Sequence, residues 1–125
     1  MPRPSQTLAA LAALMGAAGV ALAALAAHAE GGELAKTASL FLMLHAAALV
    51  GLSAHARIAE RARSLPIAGF ALAAGAILFS GDLTARAFFG ARLFPFAAPT
   101  GGSLTILAWL ALAFLFAFGA TRSPD

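Results

Sequence analysis

Three ionisable side chains stand inside or at the edge of long apolar runs, and any chemistry this chain performs has to start from them: His28, His45 and Asp82. Placing such groups in hydrocarbon is costly, so each demands a functional or structural reason. Two imidazoles and a carboxylate, joined by Glu30, are acceptable ligands for zinc or copper. Their spacing is not a local metal motif, however, and three separate segments would have to converge on one point, so no metal is expected. Asp82 has a simpler partner in Arg86, four residues on, with the acid in the favourable N-terminal place and the guanidinium free to snorkel outward. For His45 the expected role is an interhelical hydrogen bond worth about 0.6 kcal/mol, to Ser80, Thr105 or a backbone carbonyl. The candidate site is therefore a polar cluster of His28, His45, Ser80, Asp82 and Arg86, with no catalytic residue in it.

Other chemistries find less support. His45 and His55 would lie about 15 Å apart along a helix, too far to share one haem iron, and His28 and His45 differ in depth. A quinone site near His45 has nothing positive in its favour. No nucleophile motif accompanies the histidines, and Gly31-Gly32 and Gly101-Gly102 read as turns rather than phosphate loops. The chain has no cysteine, which excludes disulfides, iron–sulfur clusters and cysteine-bound zinc. No cofactor and no enzymatic activity are expected.

These residues are positioned by a chain of 125 residues that is 62% hydrophobic and only 10% charged, against roughly a quarter charged for a soluble domain. Four apolar stretches approach the ~20 residues needed to cross hydrocarbon: about 7–27, 38–55, 65–84 and 103–120. None alternates with the period of two that a barrel strand requires, and backbone groups in lipid must be satisfied within their own segment. The predicted fold is a single all-α, integral membrane four-helix bundle. The net charge of +3 comes from scattered basic residues, which form no nucleic-acid patch and read instead as loop charges.

With the N-terminus inside, the inner segments carry Arg3, Arg57, Arg61, Arg63 and Arg122 and the outer ones Lys36, Arg86 and Arg92. That bias predicts both termini in the cytoplasm; the cell (inner) membrane is the expected location. Arg3, the first apolar run and Ala27-His28-Ala29 also resemble a signal peptide, but the run exceeds the usual core of about 7–15 residues, so a retained span is expected. Arg57, Arg61 and Arg63 are expected to anchor topology, with anionic lipid headgroups as a secondary role.

In the first span Leu8, Leu11, Met15, Leu22 and Leu25 fall on one stripe and Ala12, Gly16, Gly19 and Ala23 on another. The third repeats the device with Gly69, Ala73, Ala76 and nearby Gly75. Small residues let helix backbones approach closely, so the first and third spans are expected to be central, with Phe114, Phe116 and Phe118 at a lipid-facing edge. Phe88, Phe89, Phe94, Pro95 and Phe96 read as an interfacial segment, and Pro99, Gly101 and Gly102 as a turn.

Several of these pieces, in order, resemble the family called domain of unknown function 423, whose eukaryotic members are called transmembrane protein 256. The family's first helix ends in Gly-Ala-Phe-Gly-Ala-His; here Ala23-Ala24-Leu25-Ala26-Ala27-His28 keeps the histidine. A second histidine matches His45 in Phe41-Leu42-Met43-Leu44-His45-Ala46, without the usual neighbouring tyrosines. Leu78-Phe79-Ser80-Gly81-Asp82-Leu83-Thr84 matches Leu-Phe-Ser-Gly-Ser-Leu-Tyr. Pro99-Thr100-Gly101-Gly102 with Trp109 matches Thr-Pro-Ile-Gly-Gly and its tryptophan. The resemblance covers nearly the whole chain and implies a four-helix membrane protein without an established activity; the missing tyrosines and the serine-to-aspartate change alter any polar network built on them.

The expected role is thus a structural or accessory component of a membrane complex. Its partners would be the lipid bilayer, another membrane protein or a second copy, and no nucleic acid. An oligomeric transporter ranks second, lacking a membrane-embedded acid in the first span, and a metal- or cofactor-binding protein using His28 and His45 ranks third.

Overall fold

The computed structural model describes residues 1–28, 32–58 and 63–119. Their regular elements are helices: α1 (Pro4–His28), α2 (Gly32–Ile58), α3 (Ser64–Phe89) and α4 (Ala97–Phe114), the last relaxing into a π-turn over Leu115–Gly119. Each is long and apolar enough to cross a membrane, at 25, 27, 26 and, counting α4 through Gly119, 23 residues. The helices outrun the apolar stretches because charges mark the edge of the hydrocarbon, not the end of the helix. Glu33, Lys36, Arg57 and Arg86 all lie within helical turns, and Lys36 pairs with Glu33 at 3.3 Å. Ala29 of the candidate cleavage site, Glu30, Gly31, Glu60, Arg61 and Arg122 lie outside the described residues, as does the last residue of the expected fourth span, Ala120.

In α1 the buried residues are Leu8, Ala12, Met15, Gly19 and Leu22, with Ser5 at the end. Steps of four and three residues form the seam of a coiled-coil-like contact, drawn alternately from the large and small stripes; Leu25 is exposed. In α4 the same rhythm runs through Ala98, Gly101, Thr105, Ala108 and Leu112. Helices α2 and α3 each bury two adjoining seams, in α2 one through Ser39, Leu42, Ala46, Leu49 and Ser53 and another through Ala38, His45 and Leu52. Two seams need two partners. Accordingly α2 packs against α1 and α3, and α3 against α2 and α4, while α1 touches α3 only lightly. The central pair is α2 and α3, which corrects the expectation for α1: its small residues serve one close neighbour. Phe114, Phe116 and Phe118 point outward.

The glycines show where close approach is required. A Cβ on Gly19 would meet the Met43 backbone nitrogen at 3.2 Å, and one on Gly75 would come within 2.8 Å of the Thr105 nitrogen and 2.9 Å of the Gly101 carbonyl oxygen. At Gly69 the obstacles are the side chains of Leu8 and Leu52. Ala73 is fully buried on α3, whereas Gly16 and Ala23 are half-buried; a Cβ at Gly16 would make an ordinary 3.7 Å contact with Ala46.

Pro99, Gly101 and Gly102 do not form a turn. They lie within α4, whose first residue is Ala97. Proline is tolerated there because first-turn N–H groups have no intrahelical acceptor. The true connection is Gly90–Phe96. It opens at Gly90, in the left-handed region at φ 69° with its N–H bonded to the Arg86 carbonyl, and closes at Phe96, also left-handed at φ 65°. Phe88 and Phe89 form the end of α3, so the expected interfacial segment is split between a helix end and this connection.

Candidate functional site

His45 faces inward from α2, only 3% exposed. Its Nε2 lies 3.1 Å from the indole nitrogen of Trp109 on α4, and its Nδ1 lies 2.8 Å from the Phe41 carbonyl oxygen one turn earlier. An indole N–H can only donate, so Nε2 accepts, and the ring hydrogen sits on Nδ1 and is donated to Phe41. Around this pair the rings close up. The Phe41 centroid is 4.3 Å from that of His45 and 4.3 Å from that of Phe79 on α3, with His45 and Trp109 at 5.9 Å. One aromatic knot therefore ties α2, α3 and α4, and it links α2 to α4 across the edge of α3. Coordination of a metal by His45 Nε2 would have to displace Trp109.

Of the partners expected for His45, only the backbone carbonyl is used. Thr105 Oγ1 donates to the Gly101 carbonyl at 2.8 Å, and Ser80 Oγ is buried without a hydrogen-bond partner among the described residues. Trp109 was missed because sequence spacing carries no register between α2 and α4. The available signal was the family pattern, which keeps a histidine in the second helix and a tryptophan in the fourth.

Asp82 is 1% exposed on α3. Its Oδ2 lies 3.8 Å from Arg86 Nε, the pair expected from their spacing. The shorter contact is different: Oδ1 accepts the backbone N–H of Leu93 at 2.9 Å. The carboxylate thus fastens the middle of the Gly90–Phe96 connection to α3, with the Leu93 side chain over Gly81. This anchor holds the connection between two left-handed residues, of which Phe96 carries a conformational cost of about 1–2 kcal/mol. A serine at the Asp82 position, as in the family pattern, also offers an acceptor oxygen for that N–H. The aspartate adds a charge that Arg86 partly offsets.

The five expected residues thus fall into groups with different partners. His45 belongs to the aromatic knot, Asp82 and Arg86 to the connection anchor, Ser80 to the buried face of α3, and His28 ends α1 with its side chain exposed. Among the described residues, no three histidine and acidic side chains lie close enough to hold a metal ion. Beside the anchor a groove of about 460 Å³ runs between α3 and α4, lined by Phe79, Asp82, Arg86, Arg92, Ser103 and Ile106 among others.

Four helices of membrane-crossing length, with the buried His45 and Asp82 engaged by partners within the bundle, define a multi-pass membrane bundle. The chain belongs to the family described as "Protein of unknown function (DUF423)", whose model matches residues 15–102. The match takes in His28, His45, Asp82 and Pro99–Gly102 and ends before Trp109. Comparisons with curated proteins and with solved structures returned no match.

Proposed function

We propose that this protein is a structural or accessory component of a membrane complex, without catalytic activity of its own. The observation that carries this reading is how the buried ionisable groups are engaged: both ring nitrogens of His45 and both carboxylate oxygens of Asp82 face partners within the bundle. Groups held this way fix helix register and shape a rigid outer surface, as a scaffold needs, whereas proton-coupled transport needs a carboxylate able to exchange partners. Both termini face the cytoplasm of a cell with an inner membrane on this proposal, supported by the excess of arginine at that end. Reporter fusions to each terminus test the orientation, and opposite locations of the two ends would overturn it.

Purification from native membranes in a mild detergent should retain a stoichiometric membrane partner. A chain that comes away alone and monodisperse counts against the scaffold reading. The groove beside Asp82 favours the transporter alternative, because the nearly buried carboxylate forms part of its lining. If proteoliposomes show substrate or ion flux that Asp82→Asn abolishes, that alternative replaces the scaffold.

A further inference from the structure

At the opposite end of the bundle from Asp82, the start of α1, the end of α2 and the start of α3 surround a groove of about 710 Å³. Arg57 and Arg63 stand on its walls, with Arg3 and Ser5 on a third side, and Pro4, Ala56, Pro66, Ile67 and Phe70 complete the apolar lining. Arg57 and Arg63 are exposed, and neither has an acidic partner among the described residues. We propose that this groove is a binding site for one anionic phospholipid, its phosphate held by Arg57 and Arg63 and an acyl chain lying along Ile67 and Phe70.

Three independent features converge on that ligand. First, charge: among the described residues the lining holds Arg57 and Arg63 and no acidic side chain, whereas the groove at the other end includes Asp82. Second, helix ends: α1 and α3 both begin at this end of the bundle, which brings the positive ends of their dipoles to it. The N-cap position of α3 is held by Arg63, in a helical conformation and without a side-chain cap. Arginine has no acceptor atom with which to cap a helix, so an anion supplies what serine or aspartate would provide elsewhere. Third, depth: Arg57 and Arg63 stand at the ends of helices of membrane-crossing length, where headgroups meet such helices, and from Arg63 the lining continues along α3 through Ile67 to Phe70. A basic rim above an apolar wall suits an amphiphile. A free phosphate would use only the rim.

The test uses the full chain in mild detergent, with bound lipid counted by native mass spectrometry during titration with phosphatidylglycerol or phosphatidylcholine. Each arginine near anionic headgroups is worth about fivefold in affinity, so the pair predicts a preference of about thirtyfold for phosphatidylglycerol. Arg57→Gln with Arg63→Gln should abolish that preference, Arg57→Lys with Arg63→Lys should keep most of it, and Arg92→Gln at the other end should leave it unchanged. Helical circular dichroism verifies the fold of each variant. Should the glutamine pair fail to fold, the wild-type preference and its persistence in the lysine pair decide the matter. Equal binding of the two lipids overturns the proposal, as does a preference that survives in the folded glutamine pair or falls equally in Arg92→Gln. Displacement of phosphatidylglycerol by inorganic phosphate at similar concentrations would assign the rim to a free anion instead.

Discussion

A methyl group added at Gly101 has nowhere to go. A Cβ there would stand 2.6 Å from the Phe79 backbone nitrogen and 3.0 Å from its Cα, where ordinary contact begins near 3.4 Å. Backbone atoms cannot turn aside as a side chain can, so α3 and α4 would have to separate locally by up to about 0.8 Å, a gap that forfeits a quarter to a half of each neighbouring dispersion contact. Overpacking of this kind costs about 1–3 kcal/mol, and the gain from alanine over glycine within a helix returns only about 0.5–1 kcal/mol. The difference spans about 0–2.5 kcal/mol. Because the Gly75 carbonyl oxygen also stands 2.9 Å away, making all three nearest atoms backbone, Gly101→Ala is expected in its upper part, at a loss of about 1–2.5 kcal/mol. The adjacent Gly102→Ala should do the opposite, because its Cβ would meet only the Phe79 ring, at 3.7 Å; a stabilisation of about 0.5–1 kcal/mol is expected. Reversible unfolding in mixed detergent–dodecyl sulfate micelles, followed by helical circular dichroism, measures both. A flexible turn at these positions would make the two substitutions similarly harmful. Equal losses, or an unaffected Gly101→Ala, would refute the helical packing described here.

Other consequences follow from the polar contacts. A double-mutant cycle of His45→Ala and Trp109→Phe in the same unfolding assay should give a coupling of about 0.6–1.7 kcal/mol, the range for interhelical hydrogen bonds in membranes; zero coupling would remove the tie between α2 and α4. Asp82→Ala should cost about 1–3 kcal/mol by leaving the Leu93 N–H without its acceptor and should speed hydrogen exchange of that amide. Asp82→Ser should restore much of the protection, and equal exchange in all three proteins would count against the anchor. Gly16→Ala, which adds only an ordinary contact with Ala46, should leave stability within about 0.5 kcal/mol of the parent, while Gly75→Ala should behave like Gly101→Ala.

The sequence alone determined the number of helices, their class and most of their extent. Hydrocarbon admits only segments that satisfy their own backbone and are long enough to cross it, and both properties are local. The Asp82–Arg86 pair was legible for the same reason, since one helical turn separates its members. Turn chemistry misled at Pro99, Gly101 and Gly102, where residues typical of loops serve a helix start and a close crossing. Only the tertiary structure decided that α2 and α3 are central, that Gly101 lies against Phe79, that Trp109 rather than Ser80 or Thr105 completes His45, and that Asp82 holds Leu93. Each of these depends on the rotation and depth of one helix against another. An almost uniformly apolar sequence leaves those two quantities open, because many faces are equally comfortable in lipid and interdigitation of small and large side chains selects among them.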